Sequence, residues 1–174
     1  MVTYDLPSGC LYAGLLPYVP TCADRLDSTL TRLQELLHSL RPDQLSAKPS
    51  DEAWSAEQLF EHVRASEAIV APRIVQLLVH GPGLSWPSFD ERRWAMIAGR
   101  AQLPLDDRLA LFELRRRELV ALLRDLTTEE WSLRGDHPQL GRLGVGDLCE
   151  HMAGHEEEHC RQLDEIVRAL RRRL

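Results

Sequence analysis

Residues 145–170 read VGDLCEHMAGHEEEHCRQLDEIVRAL. Apolar residues recur here every three or four positions, which predicts an amphipathic helix over the whole stretch. Three histidines, His151, His155 and His159, follow one another at intervals of four residues. At about 100° per residue they form one stripe along the helix. The stripe lies on the apolar side, so we expect these histidines to face the interior of the fold.

Three other segments show the same helical periodicity: residues 23–40, 54–77 and 106–126. Ser55 and Gln58 have the spacing of a capping box, which places the start of the second helix. Pro72 is expected to kink or break that helix. We find no run with the alternating pattern of a strand, so strands are not needed. Four amphipathic helices predict an all-α four-helix bundle.

The length of 174 residues suits one domain, predicted here over residues 1–174. Residues 1–22, which contain three prolines, are expected to be irregular, and the bundle to occupy residues 23–172. The long connection over residues 81–105 is too apolar for a disordered linker. We expect it to be a partly structured crossover that packs on the bundle, with a short helix near residues 91–98.

The composition excludes several classes of partner. A formal net charge of −6 argues against nucleic acid, because phosphates would be repelled. No stretch of about 18 uncharged apolar residues is present, so no membrane span is expected. The first residues make a poor signal peptide, and the four cysteines lack C-x-x-C spacing. We therefore expect a cytoplasmic protein with reduced thiols.

The pentapeptide HEEEH, residues 155–159, fits two opposed zinc-protease patterns, H-E-x-x-H and H-x-x-E-H. The extended protease motif requires glycine and histidine further along, where this chain has Gln162 and Glu165. Few residues follow, so a distant downstream ligand has no room. We therefore set the protease interpretation aside. Glu156 and Glu157 lie off the histidine stripe and are expected to be solvated.

The histidine stripe favours a metal site instead. Two imidazoles one turn apart and facing inward, His155 and His159, can hold one ion with an open position if a third ligand arrives from another helix. His62, early in the second helix and beside apolar neighbours, is the candidate for that third ligand. The alternative is that buried histidines only form hydrogen bonds. A metal-free dimerisation module would be favoured if His62 pointed away from the last helix.

Carboxylates near these histidines are the candidates for acid or base chemistry. Glu61 and Glu158 are the first choices, with Glu67 as a further one. Surface carboxylates are common on helices, so each is also compatible with a solvated role. Ser66, one turn beyond His62, is expected to line the site.

Four stretches carry a family resemblance: WSAEQLFEHV at 54–63, FDERRWA at 89–95, LRRRELVALLRDLTTEEW at 114–131 and HPQLGRLGVGDLCEHMAGHEEEHCRQLDEI at 137–166. Through them the sequence resembles the DinB/YfiT-like superfamily of metal-binding four-helix bundles over about residues 23–170. The resemblance implies one divalent ion, usually zinc or nickel, held by His62, His155 and His159. It also implies frequent homodimerisation.

The resemblance leaves the reaction open. Relatives include transferases and isomerases that use a low-molecular-weight thiol, and hydrolases, which implies a small electrophilic substrate. The alternative is a non-catalytic, stress-related metal-binding or dimerisation module. An internal similarity between EHVRASE and EHMAGHE aligns His151 with His62, whereas the resemblance assigns the ligand role to the next two histidines. His151 is therefore expected to support the ligands or to lie at a helix interface.

Overall fold

The computed structural model describes residues 19–88, 93 and 103–172. The elements of these ranges, in chain order, are α1 (Val19–His38), α2 (Pro42–Leu45), α3 (Ala56–His80), α4 (Leu105–Asp125), α5 (Thr128–Trp131), β1 (Arg134–His137), β2 (Gly141–Gly144) and α6 (Val145–Arg171). The long helices α1, α3, α4 and α6 confirm the predicted all-α four-helix bundle. α1 packs against α4 and α6, and α3 packs against α6.

The boundaries of the long helices lie within three residues of the predicted ones, apart from the start of α1, and Pro72 does not break α3. α1 begins at Val19, so the expectation of irregular chain up to residue 22 is wrong for its last four residues. α3 continues through Pro72 to His80, so this proline does not end it. Pro72 lies on the exposed side, where water can satisfy the carbonyl that a proline leaves without a backbone donor.

Two apolar cores fill the bundle. One is built around Leu33, Phe60, Phe112 and Leu163, and the other around Leu26, Ile74, Leu123 and Met152. Between them lies a buried ionic layer, to which each long helix contributes one residue: Thr29, Glu67, Arg116 and Glu156. Burying a polar or charged group costs free energy unless it is hydrogen-bonded, so the members of this layer must bond to one another.

The two-stranded hairpin corrects the expectation that no strands are needed. β1 and β2 pair antiparallel, with Arg134 opposite Gly144 and His137 opposite Gly141. Each strand has only four residues, too short for an alternating pattern to stand out. Gly141, the first residue of β2 after the connecting turn, adopts a φ of 74°, a conformation that favours glycine.

The first part of the crossover packs on this hairpin. Trp86 is buried, and its backbone N–H donates to Asp136 O at 3.0 Å. A Cβ on Gly135 would lie 2.9 Å from Leu84 O and 3.0 Å from the Trp86 ring, so a side chain there would separate the two segments. Packing of the crossover is thus observed for its first residues. The predicted short helix at 91–98 lies outside the described residues except for Arg93.

The cysteines correct a further expectation. Cys22 in α1 and Cys149 in α6 form a disulfide, with their Cα atoms 6.2 Å apart. The expectation of four reduced thiols is therefore wrong for this pair. The partners are 127 residues apart in sequence, so no local spacing could reveal that the fold brings them together. Cys160 is free and buried, and burial raises the pKa of its thiol to about 12.

Within the described ranges, no helix is both long enough and apolar enough to cross a membrane.

Candidate metal centre

The beginning of α3 sets the position of the first candidate ligand. Ser55 Oγ accepts from the backbone N–H of Gln58 at 3.2 Å, and Gln58 Oε1 accepts from the backbone N–H of Ser55 at 3.1 Å. This reciprocal pair confirms the predicted capping box. The cap fixes the first turn of α3, and His62 lies seven residues after Ser55, about two turns along this helix.

The structure brings together the three histidines that the sequence singled out. His62 Nε2 lies 3.1 Å from His155 Nε2, and His159 Nε2 lies 3.0 Å from the same atom. One nitrogen from each ring lies within 4.8 Å of the others. His159 is buried, while His62 and His155 are half-buried. Among the described residues this is the one group of histidine, cysteine or acidic side chains that converges in this way.

The tautomer of His159 follows from its neighbours. Gln162 Nε2 donates to Glu158 Oε1 at 3.0 Å, because a carboxylate only accepts. The amide oxygen of Gln162 therefore faces His159 Nδ1, at 2.9 Å. Since an amide oxygen also only accepts, His159 carries its proton on Nδ1. The lone pair of His159 Nε2 is thus free and aimed at the other two histidines.

The surroundings keep these imidazoles neutral. Burial lowers the pKa of His155 to about 3, helped by the neighbouring histidines His159, His62 and His151. Burial likewise lowers the pKa of His62 to about 4, and that of His159 falls below its usual value for the same main reason. Neutral imidazole is the form that binds a metal ion.

The contacts fit a cation better than a proton. A single proton on His155 Nε2 could serve its two neighbours only as a shared, weakened hydrogen bond. A divalent ion at this position would instead be held by one nitrogen lone pair from each of the three rings, and imidazole suits zinc, nickel, copper and iron. His155 Nδ1 is buried and has no hydrogen-bond partner among the described residues.

The acid and base candidates are engaged elsewhere. Glu61 accepts from Arg108 Nη1 at 2.6 Å and also pairs with Arg64. Glu158 pairs with Arg161 and is about half exposed, at 45% of its side chain. Neither carboxylate belongs to the group of converging histidine nitrogens.

Of the remaining candidates, Glu67 belongs to the ionic layer and His151 adjoins His155. Glu67 is buried against Arg116 rather than solvated, and burial raises the pKa of its carboxyl, although Arg116 opposes the shift. Ser66 is buried. The ring of His151 stacks on His155 at 6.0 Å but contributes no nitrogen to the converging group.

Glu156 and Glu157 were both expected in solvent, and the structure buries Glu156. Glu156 is only 2% exposed and accepts from Arg116, so the prediction for Glu156 is wrong. Glu157 is partly exposed and accepts from Arg25 Nε and Nη2 at 2.7 and 2.8 Å. Position 156 continues the buried series Cys149, Met152 and Ala153, which places its side chain inside the bundle.

A sequence model of the DinB superfamily matches residues 25–163. The chain belongs to the DinB superfamily. Two proteins of Oceanobacillus iheyensis, named "Putative metal-dependent hydrolase OB0413" and "Putative metal-dependent hydrolase OB0782", are 27% and 23% identical to it over 135 and 136 residues. Each alignment covers 78% of this chain, and 77% and 78% of the respective relative.

A solved structure shares the fold of this chain. YfiT from Bacillus subtilis, described as "a probable metal-dependent hydrolase with an unusual four-helix bundle topology", matches with a TM-score of 0.78 and 91% coverage of both chains. Its sequence identity is 18%, so this likeness shows that the two chains share a fold. This DinB superfamily member therefore has the architecture in which its three histidines were expected to meet.

Sequence reasoning missed two features of this DinB bundle. Gln162, which orients His159, stands three residues after it, a spacing that puts both side chains on one face of α6. Arg116 occupies a buried position between Phe112 and Leu119 in the apolar repeat of α4. The available signal for a buried ionic layer was a charged residue at a core position of the apolar repeat, found on more than one helix.

Proposed function

We propose that this chain is a metal-dependent hydrolase that acts on a small electrophilic substrate, with one divalent ion held by His62, His155 and His159. The observation that carries the proposal is the convergence of three imidazole nitrogens within 4.8 Å, on helices α3 and α6. Relatives named as metal-dependent hydrolases support the choice of reaction. Zinc or nickel is the proposed ion, since both accept imidazole ligands.

A divalent ion with an open coordination position supplies Lewis-acid chemistry: it polarises an electrophile and lowers the pKa of a bound water or thiol. The chain's own residues prepare the site for it. Burial keeps the histidines unprotonated near neutral pH. Gln162 holds the proton of His159 on Nδ1, so the lone pair of Nε2 remains available to bind a metal ion.

Glu61 and Glu158 receive supporting roles in this proposal. The carboxylate of Glu61, with that of Glu57, accepts from Arg108, which joins the N-terminal parts of α3 and α4. Glu158 orients the amide of Gln162 and thereby the ring of His159. Both carboxylates are thus assigned to holding the site in place.

The proposal is tested by elemental analysis of protein purified without a histidine tag and without chelator. We expect about one equivalent of zinc or nickel, as the single three-histidine group requires. His62→Ala and the double variant His155→Ala/His159→Ala should lose it. His38→Ala, on the exposed end of α1, is the matched control and should retain it. Full metal content in the double variant would disprove the ligand assignment.

Activity then separates the possible reactions. Metal-loaded protein should hydrolyse 4-nitrophenyl esters in buffer alone, with the activity lost on chelation and restored by the ion. If the electrophile is consumed only when a low-molecular-weight thiol is added, the chain is a thiol-dependent transferase. If metal binds but neither reaction occurs, the chain is better described by the alternative, a non-catalytic metal-binding or dimerisation module.

A further inference from the structure

We propose that an open groove beside the three histidines binds the uncharged, apolar body of the substrate; this inference rests on the proposed function. The groove has a volume of about 490 Å³. That is within the roughly 300–1,000 Å³ typical of small-molecule pockets. Its lining residues come from the segment before α3, from α3, from α6 and from the residue that follows α6: Pro49, Ala53, Trp54, Leu59, Gln162, Glu165, Ile166, Ala169 and Arg172.

Trp54 connects the groove to the histidines. Its ring lies 5.1 Å from the ring of His62 and 6.4 Å from that of His159, measured between centroids. The same residue lines the groove and is 41% exposed, unusually open for a tryptophan. The indole of Trp54 therefore stands between the histidines and the groove. The histidines lie beside it, and its exposed apolar surface lines the groove.

Gln162 is the second connection. It lines the groove and its amide oxygen accepts from His159 Nδ1. A molecule in the groove that contacts Gln162 therefore lies one side chain away from a candidate ligand. Gln162 contacts Nδ1, so it borders the ring of His159 on the side away from the converging Nε2 atoms. We therefore place the reactive group of a bound substrate at the Trp54 end of the groove, where the indole also adjoins His62.

The lining defines the chemical class of the ligand. Most of the wall is apolar, including Leu59, Ile166 and Ala169. The charged residues of the lining, Glu165 and Arg172, have opposite signs and leave no net charge. Such a groove favours a neutral ligand with a flat or short aliphatic body, because burying apolar surface is favourable and an unpaired charge is costly. We assign the substrate to neutral aryl or short-chain acyl esters and amides.

Binding can be measured without turnover by using 2-phenylacetamide as the probe. The chain has four tryptophans, so the indole N–H signals can be resolved by NMR and that of Trp54 assigned with Trp54→Phe. In the metal-loaded protein we expect the Trp54 signal to shift saturably as 2-phenylacetamide is added. The shift reports contact with the groove wall directly.

A matched pair of variants tests the location. Ala169→Phe fills the groove from α6, ten residues beyond His159. Ala121→Phe makes the same change on the exposed side of α4. We expect Ala169→Phe to weaken 2-phenylacetamide binding at least about tenfold, since an occupied pocket excludes the ligand body. Ala121→Phe should bind the probe as the parent does, and both should keep their metal.

The outcomes distinguish the groove from the reaction. Saturable binding that Ala169→Phe abolishes supports the groove even if 4-nitrophenyl esters are not hydrolysed, in which case only the proposed function fails. Ester hydrolysis with the same KM for 4-nitrophenyl hexanoate in Ala169→Phe and parent overturns the groove while the function stands. An unmoved Trp54 signal, or equal probe affinity in parent and Ala169→Phe, also overturns it.

Discussion

Glu156 follows the candidate ligand His155 directly, yet its carboxylate turns into the bundle and accepts from Arg116 Nη1 at 2.8 Å and Nη2 at 2.5 Å. Arg116 also donates to Glu67, on the helix that carries His62. One buried guanidinium therefore connects α3 and α6, the two helices whose histidines converge. The ionic layer holds these helices at a fixed separation next to the candidate metal centre.

Arg116→Met is expected to destabilise the protein strongly. The substitution leaves the buried carboxylates of Glu67 and Glu156 without their cation, and breaking a buried pair in this way costs about 3–5 kcal/mol. The free energy of unfolding measured in urea should fall by that amount. The triple variant Arg116→Met/Glu67→Gln/Glu156→Leu should recover part of the loss, because it leaves fewer buried charges.

The matched control is Arg124→Met, at an exposed position one residue before the end of α4. Its partners Asp24 and Asp27 are also exposed, so this change should cost no more than about 1 kcal/mol. Equal losses in Arg116→Met and Arg124→Met would contradict the role of the ionic layer.

The sequence predicted the parts of the fold that depend on repeated apolar positions. The four long helices followed from this periodicity. The meeting of His155 and His159 followed from their spacing, and His62 was identified by its apolar neighbours. That these three bind a metal stays a prediction, as do the homodimer and the cytoplasmic location.

Other features depend on contacts between distant segments. Arg116 and Glu156 are residue types that usually face solvent, and the apolar repeats show only that each falls at a core position. That the two pair with each other becomes visible only in the folded structure. Cys22 and Cys149 meet only because α1 and α6 are neighbours. The two strands of the hairpin are held together by pairing between their backbones. The identity of the four side chains on each strand contributes little to this pairing.

Reduction of the Cys22–Cys149 disulfide should lower stability by about 2–4 kcal/mol, because the cross-link restricts the unfolded chain. The measurement is urea unfolding with and without dithiothreitol, alongside a count of free thiols by mass spectrometry. The double variant Cys22→Ala/Cys149→Ala should not respond to the reductant. Cys160→Ala, which removes the free buried thiol, should respond as the parent does. A parent indifferent to reductant would argue against the cross-link.

Gln162→Met should weaken metal binding by about 10–100-fold, the usual effect of losing the hydrogen bond that orients a ligand imidazole. Metal affinity is measured by competition with a chromogenic chelator. Gln76→Met, on the exposed side of α3, provides the control and should leave the affinity unchanged. The two variants should unfold at similar urea concentrations, which separates ligand orientation from general destabilisation. Equal metal affinities in the two variants would remove Gln162 from the site.

Acidification should release the metal, because protons compete for the same imidazole nitrogens. The metal-free protein should also lose stability as the pH falls from 6.5 to about 3. In the unfolded chain His62 and His155 titrate near 6.5, whereas in the folded chain burial lowers their pKa to about 4 and 3. The unfolded state therefore binds more protons in this window, so acid favours unfolding. Urea unfolding across this range should show a flatter dependence in His62→Ala/His155→Ala, and an unchanged slope would assign the effect to other groups.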